Sequence, residues 1–148
     1  MLKKTITYTD YDGNKRTEDF YFNLNKRELA NMELKTYGGF EGLIRQIANT
    51  TDIPKLTELF EKIVLESYGE KSPDGRRFIK EEGKLAKEFV ETEAYSELYM
   101  ELISDPDKLA AFVNGIIPAD LAEQMNSPET QKKIEEFKEE HSNLIGNA

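Results

Sequence analysis

Two short runs of alternating apolar and polar residues open the chain. Ile6 and Tyr8 alternate with Thr5, Thr7 and Thr9, and Phe20 and Phe22 alternate with Asp19 and Tyr21. Between them "YDGN" supplies residues that tolerate positive φ, so residues 1–22 predict a β-hairpin. A two-residue Asp12-Gly13 turn would set Tyr8 opposite Thr17. A loop of odd length instead places Ile6 and Tyr8 on the face of Phe20 and Phe22. The odd loop is preferred, because it gathers the apolar side chains together. A lone hairpin is marginal in water, so that face needs something to pack on.

From Asn25 onward the apolar spacing becomes helical. Asn25 and Glu28 have the spacing of an N-terminal capping box, with Leu29, Met32 and Leu34 facing inward. "YGGF" ends that helix at Gly38-Gly39, and a short helix carrying Leu43, Ile44 and Ile47 follows. The clearest helix is "TDIPKLTELFEKIVLESYG". Asp52 caps it, Pro54 fits its first turn, and Gly69 is its natural stop. Ile53, Leu56, Leu59, Phe60, Ile63 and Val64 form its apolar stripe. Tyr95, Leu98, Tyr99, Leu102 and Ile103 repeat at helical spacing further on. "DPDKLAAFVNGIIP" is capped by Asp105, opened by Pro106 and closed by Gly115, with Leu109, Phe112 and Val113 on one face. Ala119 to Met125 suggest another short helix. Ser127 and Pro128 start a last one, with Ile134, Phe137, His141 and Leu144 along one side.

The expected architecture is α+β, an N-terminal hairpin packed on a bundle of about six helices. Residues 1–126 form one domain, with the hairpin at 1–22 and helices over 25–126. Residues 127–148 form a C-terminal helix and frayed tail, set off by a hinge at "MNSPET".

Composition narrows the function. The 148 residues suit a single domain, and 38% apolar against 33% charged residues implies a modest core with wide solvated faces. A net charge of −9 makes the chain a poor binder of nucleic acid, whose affinity comes mainly from neutralised phosphates. It also disfavours an anionic membrane surface. With no cysteine, disulfides and thiolate chemistry are excluded, and a reducing cytoplasm suits the chain. No apolar run follows the opening lysines, so no signal peptide is expected. No stretch is long and apolar enough to span a bilayer.

Candidate chemistry fails residue by residue. "DYDGN" begins like a calcium loop, but counting from Asp10 puts Lys15 where glycine is needed and Tyr21 where glutamate is needed. The single histidine, His141, lacks zinc coligands and an elbow serine. "YGEKSPDGRRFIK" holds two glycines and four cations, yet Gly69 and Gly75 have the wrong spacing for a phosphate loop and a helix precedes them. It reads as a helix stop followed by the β-turn "SPDG". Arg76, Arg77 and Lys80 are expected to pair with the chain's own acids. No cofactor and no metal are implied. Tyr95, Tyr99 and Met100 suit either a core stripe or a partner-binding stripe. If "MNSPET" is a hinge, the seam Ile134–Phe137–Leu144 is left to enter a groove on another chain.

"TITYTDYDGNKRTEDFYFNLNKRELANMEL", "SYGEKSPDGRRFIK" and "FVETEAYSELYMELISDPDKLAAFVNGIIP" together resemble the tail assembly chaperones of long-tailed bacteriophages that infect Gram-positive bacteria. The resemblance covers residues 5–118, leaving 38–54 and the last twenty unmatched. It implies a non-enzymatic factor in the host cytoplasm, absent from the finished virion. Such a factor binds the tape-measure protein, keeps it soluble and helps recruit tail-tube subunits. The resemblance also implies a longer, frameshifted form as a further partner. Under this reading the partner-binding candidates are Tyr95, Leu98, Tyr99, Phe112 and Phe137. Two other readings remain: a minor structural or connector protein of the tail, and a small phosphate-handling enzyme using Arg76, Arg77 and Lys80.

Overall fold

A computed structural model describes residues 1–35 and 39–119. Its elements in chain order are strands β1 (Leu2–Thr9) and β2 (Lys15–Phe22), helices α1 (Lys26–Lys35), α2 (Gly39–Asn49) and α3 (Ile53–Ser67), strands β3 (Tyr68–Lys71) and β4 (Phe78–Ile79), and helices α4 (Lys84–Val90), α5 (Glu93–Ser104) and α6 (Pro106–Ile116). A 3-10 turn at Glu81–Gly83 precedes α4. The chain divides into two compact units. Of the described residues, one holds Met1–Leu24 with Lys62–Ile117, and the other holds 25–35, 39–61 and 118–119. The architecture is the expected α+β.

The hairpin of the first unit has the odd loop. Ile6 lies opposite Glu18 and Tyr8 opposite Arg16. The Asp10 N–H donates to the Asn14 carbonyl at 2.9 Å, leaving three residues in the loop. Gly13 takes the left-handed conformation there, with φ 84°. The Asp10 carboxylate fixes the loop by accepting from the N–H groups of Asp12 and Asn14 and from Arg16 Nε at 2.6 Å. Those bonds, the Arg16 one foremost, hold its carboxyl below the usual range. Even-numbered side chains therefore share one face, on which Ile6 and Phe22 are buried. The opposite face is polar, with Thr7 and Thr17 hydroxyls 2.9 Å apart and the Thr5 hydroxyl donating to Asp19 at 2.6 Å.

The sheet is larger than a hairpin. Its order is β1-β2-β3-β4, every neighbour antiparallel. The stretch expected as a helix stop and a turn contributes two of its strands. Helix α3 ends at Ser67, whose hydroxyl donates to the Ile63 carbonyl at 2.7 Å, and the chain passes directly into β3. Gly69 is not the helix stop but a strand residue pressed against β4. A Cβ there would lie 2.8 Å from the Ile79 carbonyl oxygen and 3.0 Å from the Phe78 ring.

Helices cover the apolar face. α5 and α6 pack on β1, and α4 packs on β3. Ala94, Leu98 and Leu102 of α5 are buried, as are Phe112, Val113 and Ile116 of α6. Phe89 of α4 is the hub of an aromatic cluster. Its ring centroid lies 4.5 Å from Tyr68, 4.9 Å from Phe20 and 5.7 Å from Phe22. Asp105 caps α6 as expected, accepting from the Asp107 and Lys108 N–H groups, with Pro106 in the first turn. Gly115 does not close α6 but lies inside it, against the Leu2 side chain.

In the second unit the capping box forms reciprocally. The Glu28 N–H donates to Asn25 Oδ1 at 2.8 Å, and the Asn25 N–H donates to Glu28 Oε1 at 3.0 Å. Leu29 and Met32 of α1, Phe40, Leu43 and Ile47 of α2, and Leu59 and Phe60 of α3 are buried. Gly39, read as the end of the preceding helix, is instead the first residue of α2, with φ 61°. The "MNSPET" hinge, His141 and the final helix lie outside the described residues.

Candidate partner-binding surface

The structure separates the sequence-predicted contact residues. Leu98 and Phe112 are 0% and 2% exposed, Phe112 meeting Phe22 edge-on at 5.1 Å. Both belong to the core of the first unit. Tyr95 and Tyr99 are half-buried neighbours on α5, ring centroids 6.3 Å apart, and Met100 beside them is 62% exposed. Phe137 lies outside the described residues.

"YGEKSPDGRRFIK" forms β3, a tight turn and β4. The turn is satisfied from within. The Gly75 N–H donates to the Ser72 carbonyl, the Arg77 N–H to the Ser72 hydroxyl, and the Arg76 N–H to the Asp74 carboxylate. The Ser72 hydroxyl in turn donates to Asp74 at 2.6 Å. That bond, ahead of the Arg76 N–H, lowers the Asp74 carboxyl from its ordinary value. These N–H groups already have acceptors, so the loop presents no backbone cradle for a phosphate. Lys80 also ties backbone segments together. Its Nζ donates to the backbone carbonyls of Asn23 and Glu66, each at 2.8 Å. It thereby fastens the exit of β2 to the end of α3.

A surface that sequence reasoning missed lies between β2 and β3. The two strands pair only at Tyr21 with Gly69 and Phe22 with Tyr68. Beyond that they separate, and a cleft of about 450 Å³ opens, lined by Glu18, Asp19, Phe20, Tyr68, Glu70 and Lys71 among others. Phe20 and Tyr68 share the inner face of the sheet with Glu18 and Glu70. Lys71 lies on the other face, its Nζ 4.5 Å over the Tyr21 ring.

The cleft also exposes backbone. The Asn23 N–H donates toward the β3 side, to the Ser67 carbonyl at 2.8 Å. Antiparallel alternation then aims the N–H and C=O groups of Asp19, Thr17 and Lys15 at the same side, where β3 no longer runs. Residues 15–19 are exposed throughout.

Electrostatics mark the inner end of the cleft as acidic. Burial pushes the Tyr68 phenol up to about 12, and the Glu70, Glu18 and Glu88 carboxylates add to the rise. The Tyr8 hydroxyl donates to Glu18, and that bond is the main reason its own pKa is raised. The alternation of Tyr68 and Glu70 in "SYGEKS" was the available signal for β3, masked by the long helical stripe before it.

A family model described as phage tail assembly chaperone matches residues 1–146. The chain belongs to that family. The match includes residues 38–54 and most of the C-terminal segment, which the resemblance in the sequence left out. No curated protein and no solved structure gives a match. This tail assembly chaperone therefore acts in phage tail assembly and works with tail proteins. Among the described residues there is no cluster of metal-ligating side chains and no helix long and apolar enough to cross a membrane.

Proposed function

We propose that this tail assembly chaperone binds the tape-measure protein, keeps it soluble and helps recruit tail-tube subunits. It does so as a non-enzymatic factor in the host cytoplasm of a long-tailed phage. It is left out of the mature virion, and a longer frameshifted form of the same chain is a further partner. The family match over residues 1–146 carries this reading. The first unit supports it with a binding surface of the needed kind, an aromatic floor and an open strand edge surrounded by solubilising charge. Half-buried Tyr95 and Tyr99, with exposed Met100, supply a second apolar contact on α5.

Two measurements test the reading. A tagged chaperone co-expressed with the tape-measure protein should retain it through purification as a stable complex. Mass spectrometry of purified virions should detect the tape measure and not the chaperone. A chaperone found in virions at stoichiometric level would make it a structural tail component instead.

A further inference from the structure

We infer that the cleft between β2 and β3 is a docking site for an extended segment of a tail partner bearing a lysine or arginine, added as a strand to the open edge of β2. The inference rests on the family reading that the protein works with tail proteins, and names the chemistry of the partner segment.

The backbone sets the mode. β2 has eight residues, but β3 pairs with only its last two. The edge of Lys15, Thr17 and Asp19, unpaired among the described residues, offers donors and acceptors to a strand that continues along the line β3 leaves. No proline interrupts β2, and its side chains from Lys15 to Asp19 are exposed on both faces. A partner backbone can therefore approach without displacing core residues.

Charge sets the specificity. Where an added strand meets β3, its side chain on the inner face enters between Glu18 and Glu70, over Phe20 and Tyr68. A cation there gains both carboxylates, and its apolar stem can lie against half-buried Phe20. Two of the chaperone's own nearby cations are engaged elsewhere. Lys71 stands over Tyr21 on the opposite face, and Arg16 is held by Asp10 at 2.6 Å. A second copy of this chain, with net charge −9, would meet the acidic rim with repulsion. Charge complementarity therefore assigns the cleft to a basic segment.

The test uses the full chain, isotope-labelled, and capped synthetic peptides of sequence Thr-Val-Thr-X-Thr-Val-Thr, where X is arginine or glutamate. The arginine peptide should shift amide resonances of residues 15–21 and 68–71, and the glutamate peptide should not. Glu70→Gln should weaken arginine-peptide binding by about fivefold, the scale of an exposed ion pair. Thr17→Pro should weaken it by removing an edge N–H, with resonances away from the cleft unchanged.

Absence of binding at millimolar peptide, equal binding of both peptides, or shifts confined to α5 would overturn the inference. So would concentration-dependent shifts at residues 15–21 without peptide, which would identify a second copy as the occupant. Failure of this inference and failure of the proposed function are separable. A tape-measure complex undisturbed by Glu70→Lys sinks the cleft and leaves the function standing. A mapped peptide site with no tape-measure complex does the reverse.

Discussion

The Tyr68 ring stacks flat on the Phe89 ring, centroids 4.5 Å apart and planes 7° apart. The contact joins β3 to α4, and through Phe89 it reaches Phe20 and Phe22 on β2. The first unit is therefore organised around an aromatic hub on a seven-residue helix.

Phe89→Ala should cost about 3–5 kcal/mol, the range for truncating a large buried aromatic. Phe89 is 2% exposed and touches four other rings. Urea denaturation of the purified protein checks this. A loss below about 1 kcal/mol would remove Phe89 from the centre of the core.

The two close-packed glycines should respond differently to alanine. At Gly69 the added Cβ meets backbone, the Ile79 carbonyl oxygen at 2.8 Å, and relief requires β4 to move. A destabilisation of about 1–3 kcal/mol is expected. At Gly115 the nearest atom is the end of the Leu2 side chain at 2.9 Å, which can turn aside. The gain in helix propensity of about 1 kcal/mol offsets that shift, so Gly115→Ala should be close to neutral. Thermal melts of both variants decide the order.

Lys80→Met keeps the aliphatic stem and removes the charge-assisted bonds to the Asn23 and Glu66 carbonyls. A loss of about 1–3 kcal/mol is expected, because two carbonyl oxygens lose a donor. Hydrogen exchange should report faster opening at β3. Arg76→Gln, at an exposed position, should leave stability nearly unchanged.

Tyr68 makes stability fall in alkaline solution. Its folded-state pKa, about 12, lies above the ordinary value of 10.0, so the unfolded chain releases the proton first. The contribution of the neutral phenol is complete below pH 10 and is lost as pH rises toward 12. Tyr68→Phe should flatten that decline in denaturation experiments between the two pH values. An unchanged decline would place its cause elsewhere.

How much of this was legible in the sequence differs from element to element. The hairpin register followed from Ile6, Tyr8, Phe20 and Phe22, because one face had to be apolar. The Asn25–Glu28 box and the Asp105 cap are local hydrogen-bond patterns, and both formed as read. β3 and β4 were not legible. They are four and two residues long, so the alternation of Tyr68 and Glu70 is a single repeat hidden behind the helical stripe of α3, and they exist because Gly69 admits β4 and Lys80 fastens the strand exit. The stripe of Leu98 and Phe112 correctly signalled a buried face, but periodicity does not distinguish a core from a partner. The cleft was invisible for a further reason. It is defined by where two strands part, and Glu18 and Glu70 are 52 residues apart in the chain.

The proposed role, chaperoning the tape-measure protein, is tested most directly by solubility. Soluble tape-measure yield should be measured by expressing it from one vector with the chaperone supplied or withheld from a second. The tape measure is expected to be largely insoluble alone and to become soluble, in a complex with the chaperone, when both are made. A tape measure that stays insoluble, or that is equally soluble without the chaperone and forms no complex with it, would rule out the proposed role.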